Sequence, residues 1–577
     1  MLKITLAQIN PTIGDINGNL GLMKEAAELA YAKKSDLVIF PELSLTGYYP
    51  ADMLDEHDFT VNVLRGLSYL RDMSKAYPEL HFVVGSPTVC GGPGKRYHNS
   101  LIVIKNGVDK LKYDKQCLPT YNVFDERRHF EPGADVARVL RIKDAHIGFL
   151  VCEDGWNDAG EDYAVNPYQR LRDAQCDLVV SINASPSNIG KREQRHEIFG
   201  AACERHQLPL LYVNQVGGHD QLVYDGASFA MEPLSHDYHL AFEARRFQED
   251  IVHVQFDTNK GKFLSEFGTR PSKPDEVGLS TMEFYRQQIV LGLKDYARRC
   301  GFQKAVVGCS GGIDSALTLA LAVEALGADN VIGITMPSEY SSAGSVSDSE
   351  ALCAALGIEL LTHPIRPLVD QYKASFEGAT GTALAGLALE NVQARIRGTA
   401  LMEYSNTFGH LLLTTGNKSE IAVGYCTLYG DTNGGLGLIG DLYKTEIFAL
   451  CEHINHTAGR EIIPYAIINK PPSAELAPGQ KDTDSLPDYP ILDAFLKLFI
   501  EGARLAVDEH AEATEIVRGL QESNQESGLA ARIKRMIARS EYKRRQAAPI
   551  LRVRSRAFGS GRQLPIAAVV YQDVKFQ

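Results

Sequence analysis

Residues 305 to 322, AVVGCSGGIDSALTLALA, place a Ser-Gly-Gly loop between an apolar run and an apolar helical pattern. A glycine pair at such a junction lets the backbone approach a ligand closely, and the N-terminus of the next helix offers free N–H groups to an anion. The Lys-Ser or Lys-Thr ending of the familiar nucleotide-binding loop is absent, and Asp314 and Ser315 stand there instead. Because a carboxylate repels phosphate, we expect a bridging Mg²⁺. The alternative is a tight turn in which Asp314 caps the helix.

Three residues of the first half have the types needed to hydrolyse an amide. Glu42, Lys115 and Cys152 each lie at or just after an apparent strand end, where α/β folds place their chemistry. A Cys thiolate can attack an amide carbon to form a thioester, a carboxylate can carry the protons, and a lysine can stabilise the oxyanion. Taken singly, each has an ordinary alternative: a buried small hydrophobe for Cys152, a loop carboxylate for Glu42 and a solvated lysine for Lys115.

The elements that must position these residues form two α/β domains. A chain of 577 residues is too long for one core. Strand-like runs such as KITLAQI and CDLVVSINASP alternate with helical stretches before residue 256, and a second such pattern follows residue 280. We therefore predict a layered α/β domain over residues 1–255, a linker over 256–280, and a doubly wound, Rossmann-like parallel sheet over 281–577.

Composition restricts the class of protein further. A hydrophobic content of 44% and a charged content of 23% are those of a soluble globular protein, and no apolar run reaches the roughly 18 residues that span a bilayer. Ten cysteines without a CxxC pair and the absence of a secretory leader pattern predict a cytoplasmic protein. A net charge of −13 argues against nucleic acid as a partner. The basic stretch RIKRMIARSEYKRRQAAPILRVRSR is either a solvated helix face or a site for a small anion.

The second half resembles two nested families. SGGIDS is similar to the signature loop of the ATP pyrophosphatases, which cleave ATP between its α and β phosphates. ENVQARIRGTALMEYSN, LLTTGNKSEIAVGYCTLYGD, GDLYKTEIFAL and PPSAELAPGQKDTD resemble the synthetase domain of NAD synthetases, which adenylates deamido-NAD before ammonia displaces AMP. The positions that this resemblance places on ATP are Gly308, Cys309, Ser310, Gly311, Gly312, Ile313, Asp314, Ser315, Thr415, Lys444 and Ser473. Those that it places on deamido-NAD are Asn391, Arg395, Glu420 and Lys543, and Asp314 and Glu420 would also hold Mg²⁺.

Residue types at these positions suit the substrates, with exceptions. Deamido-NAD carries a pyrophosphate and a carboxylate, which call for Arg and Lys partners. For Arg395 and Arg397 the alternative is an exposed helix face. The chain departs from the family pattern at Leu428–Tyr429 and at Tyr542, so no contact is carried over to those positions.

The first half resembles the nitrilase, or carbon–nitrogen hydrolase, family through FPELSLTGY, CEDGW, INASPSNIGK and YVNQVGGHDQLVYDGASF. The resemblance implies a four-layer α-β-β-α sandwich with a Glu-Lys-Cys triad. Glu42 would be the general base and acid, Lys115 the oxyanion partner and Cys152 the nucleophile. Glu126 would support this triad. The positions implied to bind glutamine are Tyr121, Ser185 and Lys191, with Arg192 and Arg195 near the last of them.

Both halves in this order resemble the glutamine-dependent NAD synthetases. The resemblance implies deamido-NAD, ATP and L-glutamine as substrates, Mg²⁺ as the metal, no prosthetic group, ammonia passing internally between two sites, and a homo-oligomer, with octamers in some family members. Three alternatives stay open: another adenylating amidotransferase, an amidase with an inactive second domain, and a non-catalytic nucleotide-binding regulator. Residues 338 to 350, SEYSSAGSVSDSE, are expected to form either a loop that closes over the substrate or an ordinary solvated loop.

Overall fold

The computed structural model describes residues 1–264, 278–523 and 528–568. Its chain divides into two compact units, Met1–His219 with Val223–Leu279, and Asp220–Leu222 with Ser280–Gln577. Among the described residues, no helix combines the length and the apolar character needed to cross a membrane.

The first half of the chain is built mainly from strands. They are β1 Leu2–Gln8, β2 Leu37–Ile39, β3 His81–Val89, β4 Tyr97–Lys105, β5 Val108–Asp114, β6 Val139–Ile142, β7 Ala145–Val151, β8 Leu178–Asn183, β9 Leu210–Asn214, β10 Val216–His219, β11 Leu222–Asp225, β12 Phe229–Leu234, β13 Asp237–Glu243, β14 Asp250–Asp257 and β15 Lys262–Leu264. The helices are α1 Ile16–Ala32, α2 His57–Ser74, α3 Pro167–Asp173 and α4 Lys191–His206.

Two sheets face each other in the first unit. One has the order β15-β14-β1-β2-β3-β4-β5 and the other β13-β12-β9-β8-β7-β6. One buried cluster joins Ile4 and Val83 of the first sheet to Phe149 and Val180 of the second, while Leu150 belongs to a separate cluster with α3 and α4. Since neighbouring residues on a strand point to opposite faces, the second sheet is covered on both sides. With α1 and α2 on the outside of the first sheet, the predicted four-layer α-β-β-α sandwich is confirmed.

The second unit begins with a long helix and alternates thereafter. Its strands are β16 Ala305–Gly308, β17 Val331–Thr335, β18 Glu359–Thr362, β19 Leu411–Thr414 and β20 Leu436–Gly437. Its helices are α5 Thr281–Arg299, α6 Ile313–Leu326, α7 Ala343–Leu356, α8 Arg366–Thr380, α9 Gly386–Phe408, α10 Lys418–Val423, α11 Lys444–Ala458, α12 Tyr465–Ile468, α13 Tyr489–Ile500, α14 Val507–Glu522, α15 Leu529–Arg539 and α16 Glu541–Arg544.

These strands form one parallel sheet in the order β18-β17-β16-β19-β20. Helix α6 packs on one face with α5, α7 and α11, and α9 packs on the other with α8. The strand order reverses beside β16, which pairs with β17 on one side and β19 on the other. In such sheets a ligand binds at the carboxyl ends of the strands near the reversal. The predicted doubly wound α/β domain is confirmed.

The structure corrects the predicted start of the linker. Strand β14 runs to Asp257 and forms a hairpin with β15, in which Gln255 faces Leu264. The turn between β14 and β15 contains Asn259, Lys260 and Gly261. Such residues are common both in hairpin turns and in linkers, so the sequence did not distinguish a hairpin from a linker here. Of the predicted linker 256–280, residues 265–277 lie outside the described residues.

Two other predictions need correction. Residues 338 to 350 are not a continuous loop, because α7 begins at Ala343 behind a Ser342 cap whose side chain accepts a hydrogen bond from the Ser345 N–H. The basic C-terminal stretch is not one solvated face, because Arg544, Arg552 and Arg554 are buried.

Candidate active sites

The first unit brings Glu42, Lys115 and Glu126 into one buried cluster. Glu42 follows β2, and Lys115 comes directly after β5. Lys115 Nζ lies 2.7 Å from Glu42 Oε1 and 2.6 Å from Glu126 Oε1, and all three side chains are fully buried. A single ammonium group thus holds two carboxylates that would otherwise repel each other.

Two further side chains satisfy the carboxylates, and sequence reasoning missed both. Asn99 Nδ2 donates to Glu42 Oε1 at 2.8 Å and to Glu126 Oε2 at 3.3 Å. The Tyr48 hydroxyl donates to Glu126 Oε1 at 2.7 Å, and the Ala184 N–H donates to Glu42 Oε2 at 3.0 Å. Asn99 lies between His98 and Ser100 in β4, so no local pattern in the sequence set it apart.

The electrostatics of the cluster set the protonation of its members. Burial raises the pKa of Glu42 to about 7, with Lys115 opposing and Glu126 adding to the rise. Burial acts to lower the pKa of Lys115, but the carboxylates of Glu126 and Glu42 outweigh it and raise that pKa. Burial also raises the pKa of the Cys152 thiol, and the nearby Glu42 charge raises it further. The resting thiol is therefore protonated and needs a base to become a nucleophile.

Cys152 stands on a tight turn directly after β7. Its φ of 46° lies in the left-handed region, which L-residues enter only when their surroundings hold them there. Asp154 provides that restraint by accepting hydrogen bonds from the Gln116 N–H at 2.9 Å and the Cys117 N–H at 2.8 Å. One carboxylate thus ties the segment after Lys115 to the turn that carries Cys152.

Two of the three predicted glutamine-binding residues, Tyr121 and Lys191, contact the segment that follows Cys152. The Tyr121 hydroxyl donates to the buried Glu153 carboxylate at 3.1 Å, a partner that the sequence did not suggest. Lys191 Nζ lies 3.6 Å from the centroid of the Trp156 ring. Ser185 accepts a hydrogen bond from Arg195 Nε at 3.3 Å.

The two arginines near Lys191 have buried carboxylate partners. Arg192 pairs with Glu243 at 2.5 Å, and Arg195 pairs with Asp225 at 2.8 Å. Their charges are thus compensated within the fold.

A cavity of about 290 Å³ opens at the carboxyl ends of the strands in the second unit. The residues predicted for ATP or metal that line it are Gly308, Cys309, Ser310, Gly312, Ile313, Asp314, Ser315, Thr415, Glu420, Lys444 and Ser473. Gly311, Asn391, Arg395 and Lys543 are not among its lining residues.

The backbone of the SGGIDS loop is constrained by α7. Gly311 has a φ of +73°, and a Cβ there would lie 2.3 Å from the carbonyl oxygen of Ser345. The Ser315 hydroxyl donates to the Gly312 carbonyl at 2.9 Å, which closes the first turn of α6. The loop therefore depends on glycine at position 311.

Lys444, at the N-terminus of α11, lies between two carboxylates of the cavity. Its Nζ is 2.5 Å from Asp314 Oδ2 and 3.2 Å from Glu420 Oε1. Burial raises the pKa of Glu420 to about 8, with Lys444 opposing and with Asp314 and Asp482 adding to the rise. Carboxylate oxygens crowded in this way are the donor set that Mg²⁺ prefers, so the residues fit the predicted metal.

The three predicted deamido-NAD contacts outside the cavity have partners of their own. Asn391 Oδ1 accepts from the Thr427 hydroxyl at 2.8 Å, Arg395 is exposed and donates to the Leu428 carbonyl at 3.2 Å, and Lys543 donates to the Gly424 and Cys426 carbonyls.

Five further charged residues, which the sequence did not predict for the cavity, also line it. They are Arg397, Asp431, Lys470, Glu475 and Asp482. The alternative of an exposed helix face is wrong for Arg397, because its side chain lines the cavity. Asp482 follows the predicted Ser473 within the PPSAELAPGQKDTD segment, whose acidic end was the available signal.

Comparison with known families agrees with this two-unit arrangement. Residues 3–261 match the carbon–nitrogen hydrolase family, and residues 285–547 match the NAD synthase family. The chain thus joins a region similar to carbon–nitrogen hydrolases to one similar to NAD synthases.

Relatives that match nearly the whole chain identify the protein family more closely than the two separate regions do. The glutamine-dependent NAD(+) synthetase of Synechocystis sp. is 43% identical over 575 residues, 98% of this chain and 99% of the relative. That of Thermotoga maritima is 37% identical, with 98% of each chain covered. The solved structure of the Acinetobacter baumannii glutamine-dependent NAD+ synthetase in complex with adenosine diphosphate is 35% identical, with a TM-score of 0.74 and 98% of both chains covered. The chain belongs to the family of glutamine-dependent NAD(+) synthetases.

Proposed function

We propose that this enzyme uses ATP and the amide nitrogen of L-glutamine to convert deamido-NAD to NAD, the last step of NAD biosynthesis. The observation that carries the proposal is the occurrence, in one chain, of a buried Glu42–Lys115–Glu126 cluster with Cys152 nearby and a glycine loop facing Lys444. The family membership of the whole chain gives independent support.

In the first half-reaction, Cys152 Sγ attacks the carboxamide carbon of glutamine. Glu42 takes the thiol proton and returns it to the departing ammonia, which leaves a thioester on Cys152. Lys115 stabilises the oxyanion of each tetrahedral intermediate, and Glu126 holds Lys115 in place. Glu42 then removes a proton from water, which attacks the thioester and releases glutamate.

We assign glutamine binding to Tyr121, Ser185 and Lys191. Glutamine carries both an ammonium and a carboxylate, so a site for it needs charges of both signs. The ammonium of Lys191 suits the carboxylate, and the hydroxyls of Tyr121 and Ser185 can hold the remaining polar atoms.

In the second half-reaction, a carboxylate oxygen of deamido-NAD attacks the α-phosphorus of ATP, and pyrophosphate leaves from the loop at 308–315. Ammonia then attacks the acyl carbon, and AMP departs as NAD forms. Lys444 offsets negative charge that gathers on the phosphates. Mg²⁺, held by Asp314 and Glu420, would supply further neutralisation of that charge. Asn391, Arg395 and Lys543 remain our assignments for deamido-NAD.

The two half-reactions are joined by ammonia, which we propose passes internally from one site to the other. The enzyme would act in the cytoplasm as a homo-oligomer, in keeping with the family resemblance. Intact Asp314, Glu420 and Lys444 disfavour an amidase with an inactive second unit, and the buried Glu42–Lys115 pair disfavours a regulator without catalytic activity.

The test is NAD formation from deamido-NAD and ATP with either glutamine or ammonium as nitrogen donor. The Cys152→Ala variant is expected to keep the ammonium reaction and lose the glutamine reaction, because only the latter needs the nucleophile. Loss of both reactions in a folded variant would contradict the assigned division of labour. If the wild-type protein formed no NAD with either nitrogen donor, the proposed function would be wrong.

A further inference from the structure

Arg397 occupies a defined place in the nucleotide cavity. It projects from α9 with Leu401, one turn further on, and both residues line the cavity. Arg397 Nε donates to the Met336 carbonyl at 3.2 Å, and Met336 lies directly after β17. The guanidinium is thus anchored at the carboxyl edge of the sheet, beside the strand that carries the SGGIDS loop.

Among the described residues, three cationic side chains line this cavity, and their charges are compensated differently. Lys444 is paired with two carboxylates. Lys470 lies 3.2 Å from an oxygen of Asp348 and 3.8 Å from one of Glu475.

Arg397 forms no ion pair within 4.0 Å in the described part of the chain, and burial lowers its pKa to about 10, with Glu475 acting in the opposite direction. Lys444 and Lys470 thus have carboxylate partners within the protein, whereas the positive charge of Arg397 is available to an anionic ligand.

The free donors of Arg397 match a phosphate. A guanidinium carries five N–H donors in a planar fork, and the hydrogen bond to Met336 uses the one on Nε. The remaining donors on Nη1 and Nη2 can bind two phosphate oxygens at once.

Resting on the proposed function, we infer that Arg397 binds a phosphate group of ATP during the second half-reaction. The other source of phosphate is the pyrophosphate of deamido-NAD. ATP is favoured because Arg397 and the loop at 308–315 line the same cavity at adjacent strand ends, where Gly308 pairs with Ile334. Of the four predicted deamido-NAD residues, Glu420 lines that cavity and pairs with Lys444, whereas Asn391, Arg395 and Lys543 do not line it.

The test compares Arg397→Ala and Arg397→Lys with Arg366→Ala, which removes an exposed arginine from α8 of the same unit. Binding of ADP alone is measured by titration calorimetry, and KM values for ATP and deamido-NAD are measured with ammonium as nitrogen donor. For Arg397→Ala, the loss of charge-assisted hydrogen bonds is expected to weaken ADP binding and to raise the KM for ATP by about 10- to 100-fold. Arg397→Lys keeps the positive charge but loses the planar pair of N–H donors, so an intermediate effect on ADP binding and on the KM for ATP is expected. Arg366→Ala is expected to match wild type in both.

Unchanged ADP affinity in both Arg397 variants, or a rise confined to the KM for deamido-NAD, would overturn the inference. Thermal unfolding shows whether Arg397→Ala is still folded. If it is not, the ADP affinity of Arg397→Lys tests the inference. The ADP titration does not depend on NAD formation. A wild-type enzyme that bound ADP through Arg397 but made no NAD would therefore count against the proposed function and not against this inference.

Discussion

Glu42 is the buried side chain whose protonation we propose to set the working pH range of the first half-reaction. Its carboxyl group has no exposed surface, yet it faces a lysine ammonium, a second carboxylate and an amide. These opposing influences place its pKa at about 7, near the pH at which a general base and acid works best.

The first prediction follows from that pKa. Only the ionised form of Glu42 can accept the Cys152 proton, so kcat/KM for glutamine hydrolysis is expected to rise with pH through about 7 and to level off above it. Glutamate release measured between about pH 5.5 and pH 8.5 checks this. Glu42→Gln serves as the control, with low activity at every pH. A wild-type profile that stayed level across pH 7 would contradict the role of Glu42 as base.

A second prediction concerns Asn99, whose amide donates to both carboxylates. The hydrogen bond from Asn99 stabilises the ionised form of Glu42 and lowers its pKa, so Asn99→Leu is expected to move the acid limb of the glutaminase profile to higher pH. Asn157→Ala is the matched control, since Asn157 is a buried asparagine whose amide group donates to the Tyr163 and Val165 carbonyls instead. A lower rate with an unmoved acid limb would mean that Asn99 only supports the fold.

At the scale of elements, the contact between the SGGIDS loop and α7 provides the third prediction. Gly311→Ala places a Cβ 2.3 Å from the Ser345 carbonyl, whereas Gly327 has a similar φ of +87° and nothing within 4 Å of an added Cβ. Each substitution is expected to cost about 1–3 kcal/mol of backbone strain, and Gly311→Ala must also push α7 away from the loop. ADP affinity is therefore expected to fall only in Gly311→Ala. Equal ADP affinity in both variants, checked by calorimetry, would argue against a role for this contact.

The C-terminal segment is held to α11, α13 and α14 by a buried charge cluster around Arg554. Arg554 Nε lies 2.8 Å from Glu501 and Nη2 lies 2.9 Å from Glu509, while Nη1 pairs with Glu446. The Arg554 side chain is fully buried. Arginine here thus acts as a counter-charge for several carboxylates within the second unit.

Removing that counter-charge gives the fourth prediction. Arg554→Ala removes the cation paired with Glu446, whereas Glu501 and Glu509 keep Lys418 and Lys497 as partners. The loss of the buried charge is expected to destabilise the second unit by about 3–5 kcal/mol. Arg539→Ala, at an exposed position on α15, is expected to change the free energy of unfolding by less than about 0.5 kcal/mol. Urea unfolding followed by circular dichroism measures both. Similar stabilities for the two variants would show that the cluster contributes little.

At the scale of the whole molecule, the fifth prediction addresses how the two reactions are joined. If ammonia passes internally, glutamine labelled with nitrogen-15 in its amide and supplied with excess unlabelled ammonium is expected to yield NAD that carries mostly the label. Mass spectrometry of the product measures the fraction. The Cys152→Ala variant, which releases no ammonia from glutamine, is the control and is expected to give unlabelled NAD. Full dilution of the label in the wild-type product would rule out internal transfer.

Much of this architecture is predictable because the signals are local. The alternation of apolar runs with helical stretches predicts two α/β units, and a glycine pair before a helix predicts the loop at 308–315. Glu42 and Cys152 stand at strand ends that can be located within short windows. Strand β5, which Lys115 follows, gives a weak local signal because it lies at the edge of its sheet, where Val108–Lys110 are exposed and the pattern is largely polar.

The sequence by itself determined the two α/β units and the glycine loop, since each depends on residue types and spacings within a few turns of chain. The roles of Glu42, Lys115 and Cys152 remain predictions that come from the family resemblance. The tertiary structure decided which groups meet across long separations, as Asn99 meets Glu42 and Arg554 meets Glu446. It also decided between Arg395 and Arg397. Two residues apart on a helix, they point about 200° from each other, so the sequence implies that they face different ways. Only the packing of α9 on the sheet turns Arg397 into the cavity at the carboxyl ends of the strands and leaves Arg395 exposed.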